Sequence, residues 1–165
     1  MADWGSFLIG VMEHEAEGAV RRYLVIYNIS KQNNIRALLH AAEAYRFQAI
    51  VVGACQTDLS DVKNYQALIK LETYTELVAF LKAENVPLVG IEIMDGAKSI
   101  LENPFTSSIA LMPGNEGSGL SLKQKEIADS FLYIPQYGFG TASLNVYIAT
   151  TLVLHRYCLW EASIS

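Results

Sequence analysis

From Phe131 to His155 the chain reads FLYIPQYGFGTASLNVYIATTLVLH. An apolar run ending at Pro135 leads into Gly138-Phe139-Gly140-Thr141-Ala142-Ser143, and a long apolar segment follows. Strand, glycine turn and helix in that order can cradle a pyrophosphate, because a helix N-terminus offers unpaired N–H groups and the positive end of a dipole. A dinucleotide loop, however, opens a β-α-β unit, with a second strand and an acid about 20 residues on. Glu161 has the spacing, but no strand pattern follows it, and Ser143 stands in place of the third glycine. Position therefore argues against a dinucleotide loop. Cys55 and Cys158 show neither metal-ligand nor disulfide spacing and read as small apolar core side chains. His14 and His155 have no chemical context, and no metal site is expected.

Whatever chemistry these residues perform, a fold must hold them. The 165 residues are 52% apolar and 18% charged, a composition that fills one globular core and excludes a disordered chain. Apolar β-rich runs predict strands over residues 23–29, 48–54, 87–94, 107–112 and 131–135. Apolar residues at helical spacing predict helices over residues 34–47, 74–85, 122–130 and 143–160. This alternation predicts an α/β fold: a parallel sheet with helices on both faces. The last helix is apolar nearly all round, through Leu144, Ile148, Leu152, Val153, Tyr157 and Leu159. It is expected to be buried on two sides, one of them by a second copy of the chain.

No stretch reaches the roughly 18 uninterrupted apolar residues of a membrane span, so no membrane partner is expected. The patch WGSFLIGVM near the N-terminus lacks a basic region before it and is followed by Glu13, Glu15 and Glu17. A secretory signal or transit peptide is not expected, and a cytoplasmic protein is. The net charge of −5 is unevenly spread. Residues 1–20 hold four acids and no Lys or Arg, and read as an acidic arm preceding a domain over 21–165. Residues 21–46 hold Arg21, Arg22, Lys31, Arg36 and Arg46 against Glu43 alone. That segment is either a local basic surface for nucleic acid or an ordinary solvated face.

Two stretches carry a more specific signal: LMPGNEGSGLS (111–121) and YIPQYGFGTASLNVYIA (133–149). In order and spacing they resemble the SpoU/TrmH branch of the SPOUT RNA methyltransferases. There, a strand ends in G-x-E-x-x-G-[LIV], and a later I-P leads into a loop closing with S-L-N-V. Gly114, Glu116, Gly119 and Leu120 fit the first pattern. Ile134, Pro135, Gly138, Ser143, Leu144, Asn145 and Val146 fit the second. The resemblance implies S-adenosylmethionine-dependent methylation of a ribose 2′-hydroxyl in tRNA or rRNA. It also implies a C-terminal deep trefoil knot and a homodimer formed through the C-terminal helix. By the resemblance, backbone at Gly114, Ile134 and Leu144 would line the adenine and ribose pocket. The stretch GIEIMDG, from Gly90 to Gly96, would supply another wall, while Glu116, Ser143 and Asn145 would hold the reacting ribose.

One motif departs from the pattern. The family's N-[VI]-G-x-x-x-R-[TSN]-A corresponds here to NIRALLHAA: Asn34 and Ile35 match, Arg36 replaces the glycine, and His40 stands at the arginine. Histidine lacks the permanent charge and planar fork with which arginine grips phosphate. With an ordinary pKa of about 6.5 it can instead accept a proton at neutral pH. Arg36 and His40 are four residues apart, one helical turn, so Arg36 could contact phosphate while His40 takes the hydroxyl proton. The alternative is a catalytically impaired dimer that binds RNA or S-adenosylmethionine without turnover.

Overall fold

The computed structural model describes residues 18–53, 68–139 and 143–165. The acidic arm as far as Glu17, together with Cys55, lies outside them. Strand β1 (Arg22–Ile26) is buried along nearly its whole length and pairs on both sides, with β2 (Gln48–Val52) and β6 (Ile109–Pro113). Alternate residues serve opposite faces, as the two-residue period of a strand requires. Leu24 and Ile26 enter one core, and Tyr23 and Val25 enter the other. A strand buried on both faces is how a continuous apolar run such as YLVI is read in a parallel sheet.

The sheet has the order β3-β2-β1-β6-β4-β7-β5, and every pairing is parallel. Strands β4 (Leu88–Ile91) and β7 (Ser130–Tyr133) match predicted runs, but each stops short of its predicted end. Strands β3 (Ile69–Leu71) and β5 (Lys98–Ser99) were not predicted. β1 ends before Asn28, whose φ of +62° leaves the extended region.

Helix α1 (Gln32–Ala44) and helix α4 (Val146–Ile164) cover one face of the sheet. Helix α2 (Tyr74–Ala83) and the short helix α3 (Leu122–Ile127) belong to the other. Fully buried Leu38, Leu39, Val153 and Leu154 join α1 and α4 to the sheet, each contributing about 1.5–3 kcal/mol. Helices α1 and α4 run side by side in the same direction. Asn34 meets Asn145 at their starts, and Tyr45, just past the end of α1, stacks edge-on against His155 midway along α4, with ring centroids 5.9 Å apart. Arg22 grips Glu161 at 2.6 Å and fixes the far end of α4 to β1.

In α4 the chain itself covers one of the two sides expected to be buried. The helix buries a single stripe, through Thr150, Val153, Leu154 and Tyr157, and leaves Ile148, Leu152 and Leu159 between 43% and 51% exposed. Within this chain the helix is covered on one side only. Among the described residues, no helix is long and apolar enough to cross a membrane.

Candidate active site

The connection after β6 is built by glycines. A Cβ on Gly114 would lie 2.4 Å from the Gly119 carbonyl carbon and 2.5 Å from the Leu120 nitrogen, so the chain can fold back here only without a side chain. Asn115 and Gly119 then exchange backbone hydrogen bonds of 2.8 and 3.0 Å, and Gly119 turns at φ +71°. The Asn115 side chain accepts the Gly117 N–H at 2.9 Å and donates to the Asn28 carbonyl at 2.9 Å. Fully buried Gln124 donates to the carbonyls of Tyr27 and Pro113, at 3.2 and 3.4 Å. The β1–α1 and β6–α3 connections are thereby tied together.

This loop presents Glu116 to the start of α1. The residue before that helix, Lys31, provides no side-chain cap, so the first N–H groups need an acceptor from elsewhere. Glu116 supplies it. Its carboxylate accepts from the N–H of Lys31 at 2.8 Å, the N–H and hydroxyl of Ser30 at 3.2 and 3.0 Å, and Asn34 Nδ2 at 3.0 Å. Partial burial opposes its charge. The hydrogen bonds from Asn34 and from the backbone of Lys31, Glu116 itself and Ser30 outweigh that and hold the carboxyl down at about 2, against an ordinary 4.5.

Buried Asn34 continues the chain of contacts. Its Oδ1 receives Asn145 Nδ2 at 3.4 Å, while Asn145 Oδ1 caps α4 by accepting the Tyr147 N–H at 2.8 Å. One line of polar side chains thus links the loop after β6, the start of α1 and the start of α4. A folded-state pKa depressed from 4.5 to about 2 stabilises the fold fully above about pH 4.5, and the contribution is lost as pH falls toward 2. Melting temperatures of the wild type and Glu116→Gln should therefore differ most above pH 5 and converge by about pH 2. A gap that stayed constant over that range would remove Glu116 from the acid limb.

Beside this line opens a cleft of about 350 Å³, within the roughly 300–1,000 Å³ range of small-molecule sites. It lies beyond the carboxyl ends of β4, β6 and β7, the end at which parallel sheets bind ligands. Gly114, Glu116, Ile134, Ser143 and Leu144 all line it. Gly90 does not. A Cβ there would meet Leu120 and Phe131 at 2.8 Å, so this glycine admits packing behind the cleft wall instead. Asn34, Arg36, His40 and Asn145 are also absent from the lining; Asn34 and Asn145 adjoin it through Glu116 and Leu144, and His40 is exposed on α1.

The wall stretch GIEIMDG contributes Ile91, Glu92 and Ile93 to the lining, but sequence reasoning singled out no role for Glu92, the first residue after β4. It lines the cleft, and its Oε2 accepts the Leu120 N–H at 2.6 Å. The available signal was a single acid inside the apolar run LVGIEIM.

Residues 21–155 match the model of the SpoU rRNA Methylase family. The chain is 29% identical over 153 residues to a 23S rRNA (guanosine(2553)-2′-O)-methyltransferase, RlmP, of Bacillus subtilis, covering 88% of this chain and 61% of that protein. It is 25% identical over 135 residues to the tRNA (guanosine(18)-2′-O)-methyltransferase of Escherichia coli K12, covering 78% and 58%. The chain thus spans about three-fifths of the length of these relatives. In fold it is similar to the SpoU methyltransferase AviRb from Streptomyces viridochromogenes, solved in complex with AdoMet. The TM-score is 0.77 at 22% identity, over 87% of this chain and 59% of that one.

Proposed function

Because the chain belongs to the SpoU rRNA Methylase family, we propose that it transfers a methyl group from S-adenosylmethionine to a ribose 2′-hydroxyl of tRNA or rRNA. The observation that carries this reading is the Glu116–Asn34–Asn145 line along the edge of the glycine-floored cleft. The cleft suits a nucleoside: Gly114 keeps its floor flat, Ile134 and Leu144 give apolar wall, and backbone groups there can bond a base. When bound, S-adenosylmethionine supplies a methyl group activated by a sulfonium.

The chain's own residues do the rest. Ser143 and Asn145 hold the reacting ribose, and Glu116 and Asn34 keep them oriented. The 2′-oxygen would form its bond to the methyl carbon with a neutral thioether as leaving group, and at neutral pH the hydroxyl proton needs an acceptor. His40 is that acceptor, and Arg36, one turn away on α1, takes the adjacent phosphate.

His40 does not line its own chain's cleft, so this role requires a second copy. The exposed stripe Ile148, Leu152 and Leu159 on α4 supports a homodimer, since an apolar face of that length is commonly covered by a partner. A copy docked on α4 lies beside α1, because the two helices run side by side. His40 of each copy then serves the other's cleft. The trefoil knot belongs to the same reading and is supported by the convergence of the segments after β6 and β7 on one cleft. The working location is the cytoplasm, where tRNA and rRNA are within reach.

Calorimetric titration with S-adenosylhomocysteine tests the reading, followed by transfer of labelled methyl from S-adenosylmethionine to bulk tRNA and rRNA. Binding at one site per chain, with label recovered as 2′-O-methylated nucleosides, is the expected result. Binding without label in any RNA would leave a cofactor-binding domain that does not turn over.

A further inference from the structure

Two carboxylates line the cleft, and their situations differ. Glu116 spends both oxygens on Ser30, Lys31 and Asn34. Glu92 spends one. Its Oε2 takes the Leu120 N–H at 2.6 Å, while Oε1 accepts no hydrogen bond among the described residues. The carboxylate is clamped in place: a Cβ on Gly119 would lie 2.6 Å from Oε1 and 2.7 Å from Oε2, so the group rests flat against that glycine. The backbone is fixed too, because the Glu92 N–H donates to the Leu132 carbonyl at 3.0 Å. An ionised carboxylate is an acceptor only, and leaving an oxygen of it in a cleft without a donor is unfavourable. A ligand that displaces water from Oε1 is favoured if it brings a hydroxyl or N–H donor to that point.

We propose that Glu92 binds the ribose of the cofactor, its Oε1 accepting from the 2′- and 3′-hydroxyls. The inference rests on the methyltransferase reading and adds a residue to it. Ile134, Leu144 and Val146 present apolar wall to the flat base. The sugar joined to that base needs a rigid polar partner. An acid at the carboxyl end of a central parallel strand is where other nucleotide-binding α/β folds place the group that receives a ribose hydroxyl. A fixed oxygen suits two vicinal hydroxyls held by a ring better than an ammonium on a flexible tail, because neither partner loses much freedom on binding.

Three probes decide it by calorimetry: S-adenosylhomocysteine, 5′-methylthioadenosine, and the 2′,3′-dideoxy form of the latter. The wild type should bind 5′-methylthioadenosine at least tenfold more tightly than the dideoxy form. Glu92→Gln keeps an acceptor for the Leu120 N–H and should lose most of that preference, whereas general damage to the cleft would weaken both ligands equally. Glu92→Asp repeats the comparison should Glu92→Gln fail to fold. A preference that survives substitution overturns the inference and leaves the methyltransferase reading standing. Loss of S-adenosylhomocysteine binding alone also overturns it, assigning Glu92 to the amino-acid tail. Failure of the wild type to bind any probe overturns both.

Discussion

Gly114→Ala should abolish cofactor binding, while Gly138→Ala should leave it unchanged. The added methyl at position 114 would meet backbone at 2.4 and 2.5 Å, and backbone cannot rotate away as a side chain tip can. The loop from Asn115 to Gly119 must move instead, and it carries Glu116 at its centre. Overpacking of this kind costs about 1–3 kcal/mol of stability. Cofactor affinity should fall at least ~100-fold, about 2.7 kcal/mol, since the cleft floor is displaced. At Gly138 a Cβ would meet nothing within 4 Å, so the control lies in the neighbouring loop and carries no clash. Calorimetry with S-adenosylhomocysteine and thermal melting read both effects. Affinity within a few-fold of wild type in Gly114→Ala would mean that this turn does not form the floor of the site.

His40→Ala should lower the methyl-transfer rate by about 100-fold, the size of a lost general base, with S-adenosylhomocysteine affinity unchanged. The split between rate and binding follows from the exposed position of His40, outside its own chain's cleft. Mixing separates service within one chain from service across a dimer. His40→Ala chains have a sound cleft and no base, while Gly114→Ala chains have a base and no cleft. If each His40 serves the partner, every mixed dimer holds one complete site, and an equal mixture should recover about a quarter of wild-type activity. If each acts within its own chain, no combination recovers any. A rate untouched by His40→Ala would remove the histidine from the mechanism and leave proton transfer to water or another group.

The sheet was legible where strands were long. The runs that became β1, β2, β4, β6 and β7 have enough apolar length to be read; the first four are largely buried in the parallel core, and β7 buries Leu132 there. β3 and β5 have three and two residues, too few to show any period, and their places are set by pairing with β2 and β7. For α4, composition records that the helix is apolar nearly all round, not what covers each side, and this chain covers only the stripe through Thr150, Val153, Leu154 and Tyr157.

The site divides in the same way. Asn34, Glu116 and Asn145 stand far apart in sequence, and motif resemblance alone pointed to all three, since the contacts that join them are tertiary. Gly90 followed the motif into the expected pocket wall, yet its lack of a side chain answers to Leu120 and Phe131. Glu92 lay within the quoted stretch GIEIMDG but was given no role there, and its meaning comes from the bond to Leu120, 28 positions away.

The order of strands in the sheet has a consequence for how the chain is made. β1 lies near the middle, but its neighbour on one side is β6, and Arg21 meets Ser108 across 87 positions. At about 5–20 residues per second, the ribosome takes roughly 4 to 17 s to deliver that partner. Through that interval YLVI has β2 on one edge and an open row of amides and carbonyls on the other, the kind of edge that recruits foreign strands. Long-range parallel pairing is slow to form even once the segments are available. Its central strand is thus synthesised well before the neighbour that encloses it, which makes the nascent chain a natural client for chaperones.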